Sequence, residues 1–134
     1  MNIKEKIQYP AGTLDVKERE EAFWNFASEA RALANIVGGV DENNLSEDLA
    51  IVIAGKIKTL YYLFELSRMG RLPIEEVREK LISTIGEDSV PILKTFYEKF
   101  FNDIPNFKLF YRLSGESFNQ GRDGLGFIAR ELAR

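Results

Sequence analysis

A glycine-rich stretch near the end of the chain, SGESFNQGRDGLG at residues 114–126, has residue types that could bind an anion. Gly124 and Gly126 fall in the first turn of a predicted helix, where backbone N–H groups lack partners within the helix and the helix dipole is positive. Arg122 comes just before that turn, so these groups together could hold a phosphate. The alternative is structural, because glycines also let two helices approach closely. The sequence leaves both interpretations open.

Two basic residues upstream, Lys108 and Arg112, are four residues apart beside an aromatic face that includes Tyr111. Like charges at this spacing on a helix repel each other by roughly a few tenths of a kcal/mol. An anion between them would account for the pair, and Tyr111 and Phe118 could stack on nucleic-acid bases. An apolar stripe at helical spacing is also typical of a protein core, so a buried aromatic face is the alternative.

Most catalytic and metal-binding chemistry is excluded by composition. The chain has no Cys and no His, which removes disulfides, thiolate and imidazole ligands, cysteine nucleophiles and the usual general base near neutral pH. Acidic clusters at residues 18–21 and 75–79 are interpreted as carboxylates that stabilise helix starts. We therefore predict no catalytic residue, no metal and no cofactor. An enzyme that uses lysine, arginine and carboxylates alone is the alternative, and it would need a deep cleft.

The segment AGKIKT at residues 54–59 places Gly-Lys after an apolar run, as a phosphate-binding loop does. However, Ala50 occupies the position of the required first glycine, and Ile57 occupies that of the Ser or Thr whose hydroxyl would hold magnesium. The segment is therefore not predicted to bind a nucleotide. Lys56 falls within the apolar arc of its own predicted helix. Its stem either carries the ammonium group to solvent or directs it at an anion or a partner.

The elements that must position these residues are all predicted to be helices. Apolar residues recur at spacings of three and four, which favours an all-α fold, a single compact bundle of about five to six helices in one domain, residues 1–134. Residues 1–12 are a candidate disordered arm. Capping or first-turn residues predict where the helices begin, namely at Asp15, Ser46, Pro73, Ser89, Pro105 and Asp123.

The second predicted helix, which runs from Ser46 to Met69 and is closed by Gly70, has a very wide apolar arc. An arc of this width favours a central helix packed against several neighbours. Its segment IVIAG, residues 51–55, is a short β-branched run that could also form a strand. The apolar stretch is interrupted by charged residues, and the amino terminus is charged where a secretory signal would be apolar. We therefore predict a soluble cytoplasmic protein.

Charge is distributed unevenly, although the net charge is only −3. Acids are concentrated in residues 13–48, whereas bases outnumber acids in residues 49–72 and 94–134. This separation is expected of an electrostatically oriented subunit, and a chance assortment of charges on solvated helices would look similar. The absence of Cys and the abundance of Glu, Lys and Ile are also consistent with a thermophilic source.

Two segments, EARALANIVGGV at residues 29–40 and AGKIKTLYYLFELSRMG at residues 54–70, carry a resemblance to a known family. In size, helical class and helix order the chain resembles the small all-helical subunit of archaeal type I-A CRISPR surveillance (Cascade) complexes, which act in antiviral defence. The resemblance implies a non-catalytic protein that repeats along the complex, contacts the backbone of DNA or RNA, and bridges neighbouring subunits. The acidic net charge departs from the basic character that is common in such subunits.

The resemblance also implies which residues contact the nucleic-acid backbone. They are the basic residues Lys56, Lys58, Arg68, Arg71, Lys108, Arg112 and Arg122. No membrane contact is implied. The alternative function is a self-associating helical scaffold or coat-like protein without nucleic-acid specificity, which would assemble through aromatic surface at Tyr61-Tyr62 and Phe100-Phe101.

Overall fold

The computed structural model describes residues 16–40, 45–101 and 123–133. These residues form a helical bundle whose elements are α1 (Val16–Val37), α2 (Glu47–Ser67), a 3-10 turn (Met69–Arg71), α3 (Ile74–Ile85), α4 (Ser89–Phe101) and a short α5 (Leu125–Phe127) that continues as a π-helical turn (Ile128–Leu132).

The predicted all-α class is confirmed, because no strand occurs in the described part of the chain. The ambiguous segment at residues 51–55 is helical and lies within α2. The arm at residues 1–12 and the helix predicted to begin at Pro105 lie outside the described residues.

Local sequence signals begin several helices as predicted. The backbone N–H of Leu49 donates to Ser46 Oγ at 3.1 Å, so Ser46 caps α2. Pro73 stands directly before α3, and Gly86 ends that helix with a φ of 101°, a value that glycine tolerates best. The predicted cap at Asp123 is wrong, because Gly124 is the residue that precedes α5 and no side chain caps it.

Helix α2 ends earlier than predicted, because Arg68 and not Gly70 terminates it. Arg68 adopts the left-handed conformation, with a φ of 60°, and its N–H donates to the Glu65 carbonyl at 3.3 Å. A left-handed residue at this position ends a helix in the way that glycine usually does. The buried Ser67 hydroxyl supports the turn, since it donates to the Phe64 carbonyl at 2.9 Å and accepts from the Met69 N–H at 3.3 Å.

Helix α1 is the central element of the described bundle. It packs against α2, α3 and α4, and its apolar residues at spacings of three and four are almost completely buried. They are Phe23, Phe26, Ala27, Ala30, Leu33, Ala34 and Val37. Burial of this face on three neighbouring helices provides the main hydrophobic stabilisation of the described bundle.

Helix α2 was predicted to be central, but among the described residues α1 contacts more helices than α2 does. Within the described residues α2 packs mainly against α1, and it buries Ile53, Ile57 and Leu60 there. Helix α1, with a smaller contact from α5, covers only part of this wide apolar arc. Other apolar residues of α2, including Ile51 and Tyr62, are therefore left about half exposed.

The carboxyl-terminal segment closes the bundle against three other helices. The π-helical turn packs on α4 and α3, and α5 also contacts α2. Leu125, Ile128 and Leu132 are buried. Arg78 on α3 fastens the segment, because its Nε–H and Nη2–H both donate to the Glu131 carbonyl, at 3.1 and 2.9 Å.

Candidate functional site

The two glycines of the predicted anion site are buried in helix contacts. A Cβ atom on Gly124 would lie 2.8 Å from the Tyr61 backbone nitrogen and 2.9 Å from the Leu60 carbonyl carbon. A Cβ atom on Gly126 would lie 3.2 Å from the Tyr97 side chain. These contacts favour the close-packing alternative, in which glycine lets the last helix approach α2 and α4. Arg122, the basic member of the predicted anion site, lies outside the described residues.

Lys56 directs its ammonium group at an anion within the same chain. Its Nζ lies 3.4 Å from Glu29 Oε2 on α1, and the two side chains are 27% and 32% exposed. The lysine therefore bridges α2 and α1 at the edge of their contact, with its stem along the apolar surface. Its charge is already balanced, which makes it a weaker candidate for a phosphate contact than an unpaired base.

Three other predicted basic residues have no such partner in the part of the chain that the structure describes. Lys58 on α2, and Arg68 and Arg71 in the turn that follows it, are exposed and form no ion pair with any other described residue. We call these three residues the α2 basic edge. Tyr62, which is 55% exposed, lies one helical turn after Lys58. Three cations that form no ion pair within the described residues, and one exposed aromatic ring, thus lie along a single helix and its terminal turn.

The remaining predicted contacts, Lys108, Arg112 and Arg122, lie outside the described residues, so the structure does not relate them to the α2 basic edge. Several other cations of the described bundle are engaged in ion pairs. Lys80 pairs with Glu76 at 3.8 Å, and Lys94 pairs with Glu98 at 4.0 Å. These contacts distinguish the α2 basic edge from bases that only stabilise their own helix.

An exposed apolar strip runs along the same helix, and sequence reasoning did not identify it. We call it the α2 stripe; its residues are Ile51, Val52, Gly55, Tyr62 and Leu66. The four side chains are 50% to 55% exposed. The signal was present in the sequence as the wide apolar arc, which we interpreted as a central position rather than as an uncovered face.

The aromatic surface predicted for the scaffold alternative is divided by the structure. Tyr62 is exposed and contacts Tyr61 edge-on, with ring centroids 5.4 Å apart. Phe101 is buried and stacks on Tyr97 at a centroid distance of 4.9 Å. The prediction of exposed aromatic surface is therefore wrong for Phe101, while the position of the Phe100 side chain lies outside the described part.

Two grooves open on the described surface. The first, of about 320 Å³, lies between the end of α1 and α4 and is largely apolar, with Val37, Ile92 and Phe96 in its wall and Lys99 at its edge. The second, of about 450 Å³, follows the outer face of α3 and carries carboxylates such as Glu79 and Glu87. No cluster of three or more metal-ligating side chains occurs among the described residues.

Within the described ranges, no helix combines the length and the apolar character needed to cross a bilayer. Comparison of the chain with protein-family models, with curated proteins and with solved structures finds no match. Function is therefore inferred from the residues of this chain.

Proposed function

We propose that this protein is a non-catalytic helical subunit of a nucleoprotein assembly, where it contacts the nucleic-acid backbone and bridges neighbouring subunits. The small subunit of a CRISPR effector complex is the assembly member that its sequence resembles. The observation that carries the proposal is the α2 basic edge, whose three cations are exposed and unpaired among the described residues.

Unpaired surface cations suit phosphate binding because each cation that neutralises a phosphate releases condensed counterions. Lys58, Arg68 and Arg71 offer a total of three such charges, and arginine can hold phosphate oxygens with two parallel hydrogen bonds. Together they fit backbone contact without sequence readout.

The acidic net charge of −3 limits how tightly an isolated copy binds nucleic acid. Bases on neighbouring subunits would supply the remaining attraction within an assembly. We therefore expect weak and strongly salt-dependent binding by the protein alone, with the logarithm of the affinity falling linearly with the logarithm of the salt concentration.

The test is fluorescence anisotropy with labelled single-stranded DNA and RNA of about 30 nucleotides, between about 50 and 300 mM salt. Arg68→Glu combined with Arg71→Glu should weaken binding to every sequence and lower the salt slope by about 1.4, the value for two single-strand phosphate contacts. The matched control is Arg31→Glu with Lys94→Glu, because it changes the net charge equally on α1 and α4. Equal losses of affinity in the two double variants, or no loss in either, would contradict phosphate contact at the α2 basic edge.

The scaffold alternative is favoured by a different observation, the exposed α2 stripe. Mild affinity purification of the tagged protein from its native cells separates the two functions. Recovery with a defined set of larger subunits and a short RNA supports the nucleoprotein assembly. Recovery without nucleic acid and without other subunits supports a self-associating scaffold.

A further inference from the structure

The α2 stripe has the spacing of a helix–helix seam. Ile51, Gly55, Tyr62 and Leu66 fall within an arc of roughly 60° at ~100° per residue. Their separations of four, seven and four residues match the heptad-like spacing by which two helices pack along their length. A partner that covers this seam is therefore most simply another helix.

Gly55 is the second observation that points to a partner. Glycine within a helix is less stable than alanine, and here no contact among the described residues requires it, because a Cβ atom would meet nothing within 4 Å. Gly124 is the contrasting case, since its missing side chain makes room for the backbone of α2. At Gly55 the gap faces outward, in the middle of the exposed stripe.

We propose that the α2 stripe binds a second copy of this chain, with the two α2 helices antiparallel about a two-fold axis that passes between Lys58 and Thr59. In this register Ile51 of one copy faces Leu66 of the other, so that two large apolar side chains meet. Tyr62, the most exposed side chain of the stripe at 55%, faces Gly55 of the second copy. The stripe is thus complementary to itself, with the largest ring opposite the only gap.

Charge selects the antiparallel arrangement. Glu47 and Asp48 are exposed in the first turn of α2, and Arg68 and Arg71 are exposed beyond its last turn. Antiparallel packing places the acids of one copy beside the arginines of the other, whereas parallel packing would place like charges together. These rim pairs are solvated and set direction more than strength. The two Lys58 side chains lie at the rim near the axis, where their stems keep both ammonium groups in solvent.

The area of the stripe sets the expected affinity. Four apolar side chains about half exposed present on the order of 400 Å² per copy, within the size range of functional apolar patches on monomers. That is about half of the ~800 Å² per partner in a standard stable interface. We therefore expect a reversible dimer with a dissociation constant in the micromolar range.

The first test is sedimentation velocity of the full chain without nucleic acid, from about 1 to 300 µM. The wild-type mass should rise with concentration from 15.3 kDa towards twice that value. Gly55→Leu fills the gap opposite Tyr62, so it should raise the dissociation constant at least about tenfold, while Tm stays the same or rises because leucine favours a helix. Val16→Ser is the matched control, since Val16 is 51% exposed on α1, outside the stripe, and it should leave dimerisation unchanged.

The second test measures the register of the two α2 helices in the dimer. The chain has no native Cys, so only an introduced cysteine can form a disulfide. Thr59→Cys, next to the axis, should form a disulfide-linked dimer under mild oxidation. Ile51→Cys alone should not cross-link, whereas an equimolar mixture of Ile51→Cys and Leu66→Cys should. Efficient cross-linking of Ile51→Cys alone would indicate a parallel pair and overturn the register.

Other outcomes overturn the proposal itself. A wild-type protein that stays monomeric throughout the concentration range, or a Gly55→Leu variant that dimerises normally, would do so. The inference does not rest on nucleic-acid binding, because Gly55→Leu leaves every charge of the α2 basic edge in place. Loss of dimerisation and loss of the salt-dependent affinity are therefore separately measurable.

Discussion

Replacing Gly124 with alanine should destabilise the protein more than any exposed glycine replacement. The added Cβ atom would lie 2.8 Å from the Tyr61 nitrogen, 2.9 Å from the Leu60 carbonyl carbon and 3.1 Å from the Leu60 oxygen. All three are backbone atoms in the interior of α2, so no side-chain rotation relieves the overlap. The Gly124 backbone, with φ −90° and ψ −72°, is open to alanine. The effect is therefore one of space and not of backbone strain.

The magnitude follows from what must move. Relief requires the start of α5 to shift away from α2 by several tenths of an ångström, which loosens the packing of the buried Leu125 and Ile128. Overpacking of this kind costs typically about 1–3 kcal/mol, and we expect about 2–3 kcal/mol because the obstacle is backbone. For a chain of 134 residues, each kcal/mol lowers Tm by about 3–4 °C. Gly124→Ala should therefore lower Tm by about 6–12 °C.

The assay is thermal and urea unfolding followed by circular dichroism, which gives both Tm and the free energy of unfolding. Gly39→Ala is the control, because Gly39 is exposed after α1 and a Cβ atom there would meet nothing within 4 Å. It should stay within about 2 °C of wild type. A Gly124→Ala protein that also stays within that range would refute the reasoning, since the added Cβ atom would then not reduce stability despite its close approach to α2.

Two further substitutions test contacts that hold the bundle together. Ser46→Ala removes the oxygen that accepts the Leu49 N–H, so it should cost about 1 kcal/mol and lower Tm by about 3–4 °C; an unchanged melting curve would mean that this cap adds nothing. Arg78→Lys keeps the positive charge but loses the forked contact with the Glu131 carbonyl, and urea unfolding should show a loss of about 1–2 kcal/mol. Wild-type stability in the lysine variant would contradict a role for the two hydrogen bonds.

The helical class and most described helix starts follow from local patterns. Apolar spacing of three and four identifies the faces of α1, α3 and α4. Ser46, Pro73 and Gly86 mark helix boundaries because capping geometry depends on residues adjacent in the chain. These features rest on interactions across three or four residues, which a sequence displays directly.

The positions of the predicted basic residues follow from the sequence, but their surroundings do not. Lys56 and Lys58 are two residues apart and both were predicted to contact a nucleic-acid backbone, yet Lys56 meets Glu29 on α1 while Lys58 faces solvent. The pairing joins residues 27 positions apart, so it depends on how α1 and α2 cross. Only the packing of the helices shows which lysine is neutralised by a carboxylate and which is accessible to a phosphate.

The centre of the bundle was likewise decided by packing. Local periodicity states how wide an apolar face is, but the number of neighbours that cover it depends on where the other helices dock. The apolar arc of α2 therefore predicted burial, and the tertiary structure left part of it exposed around Gly55. The same holds for Gly124, which in sequence is a flexible residue before a helix and in the structure is the point where the chain touches the backbone of α2. Burial and close approach are properties of pairs of elements, and no single segment contains them.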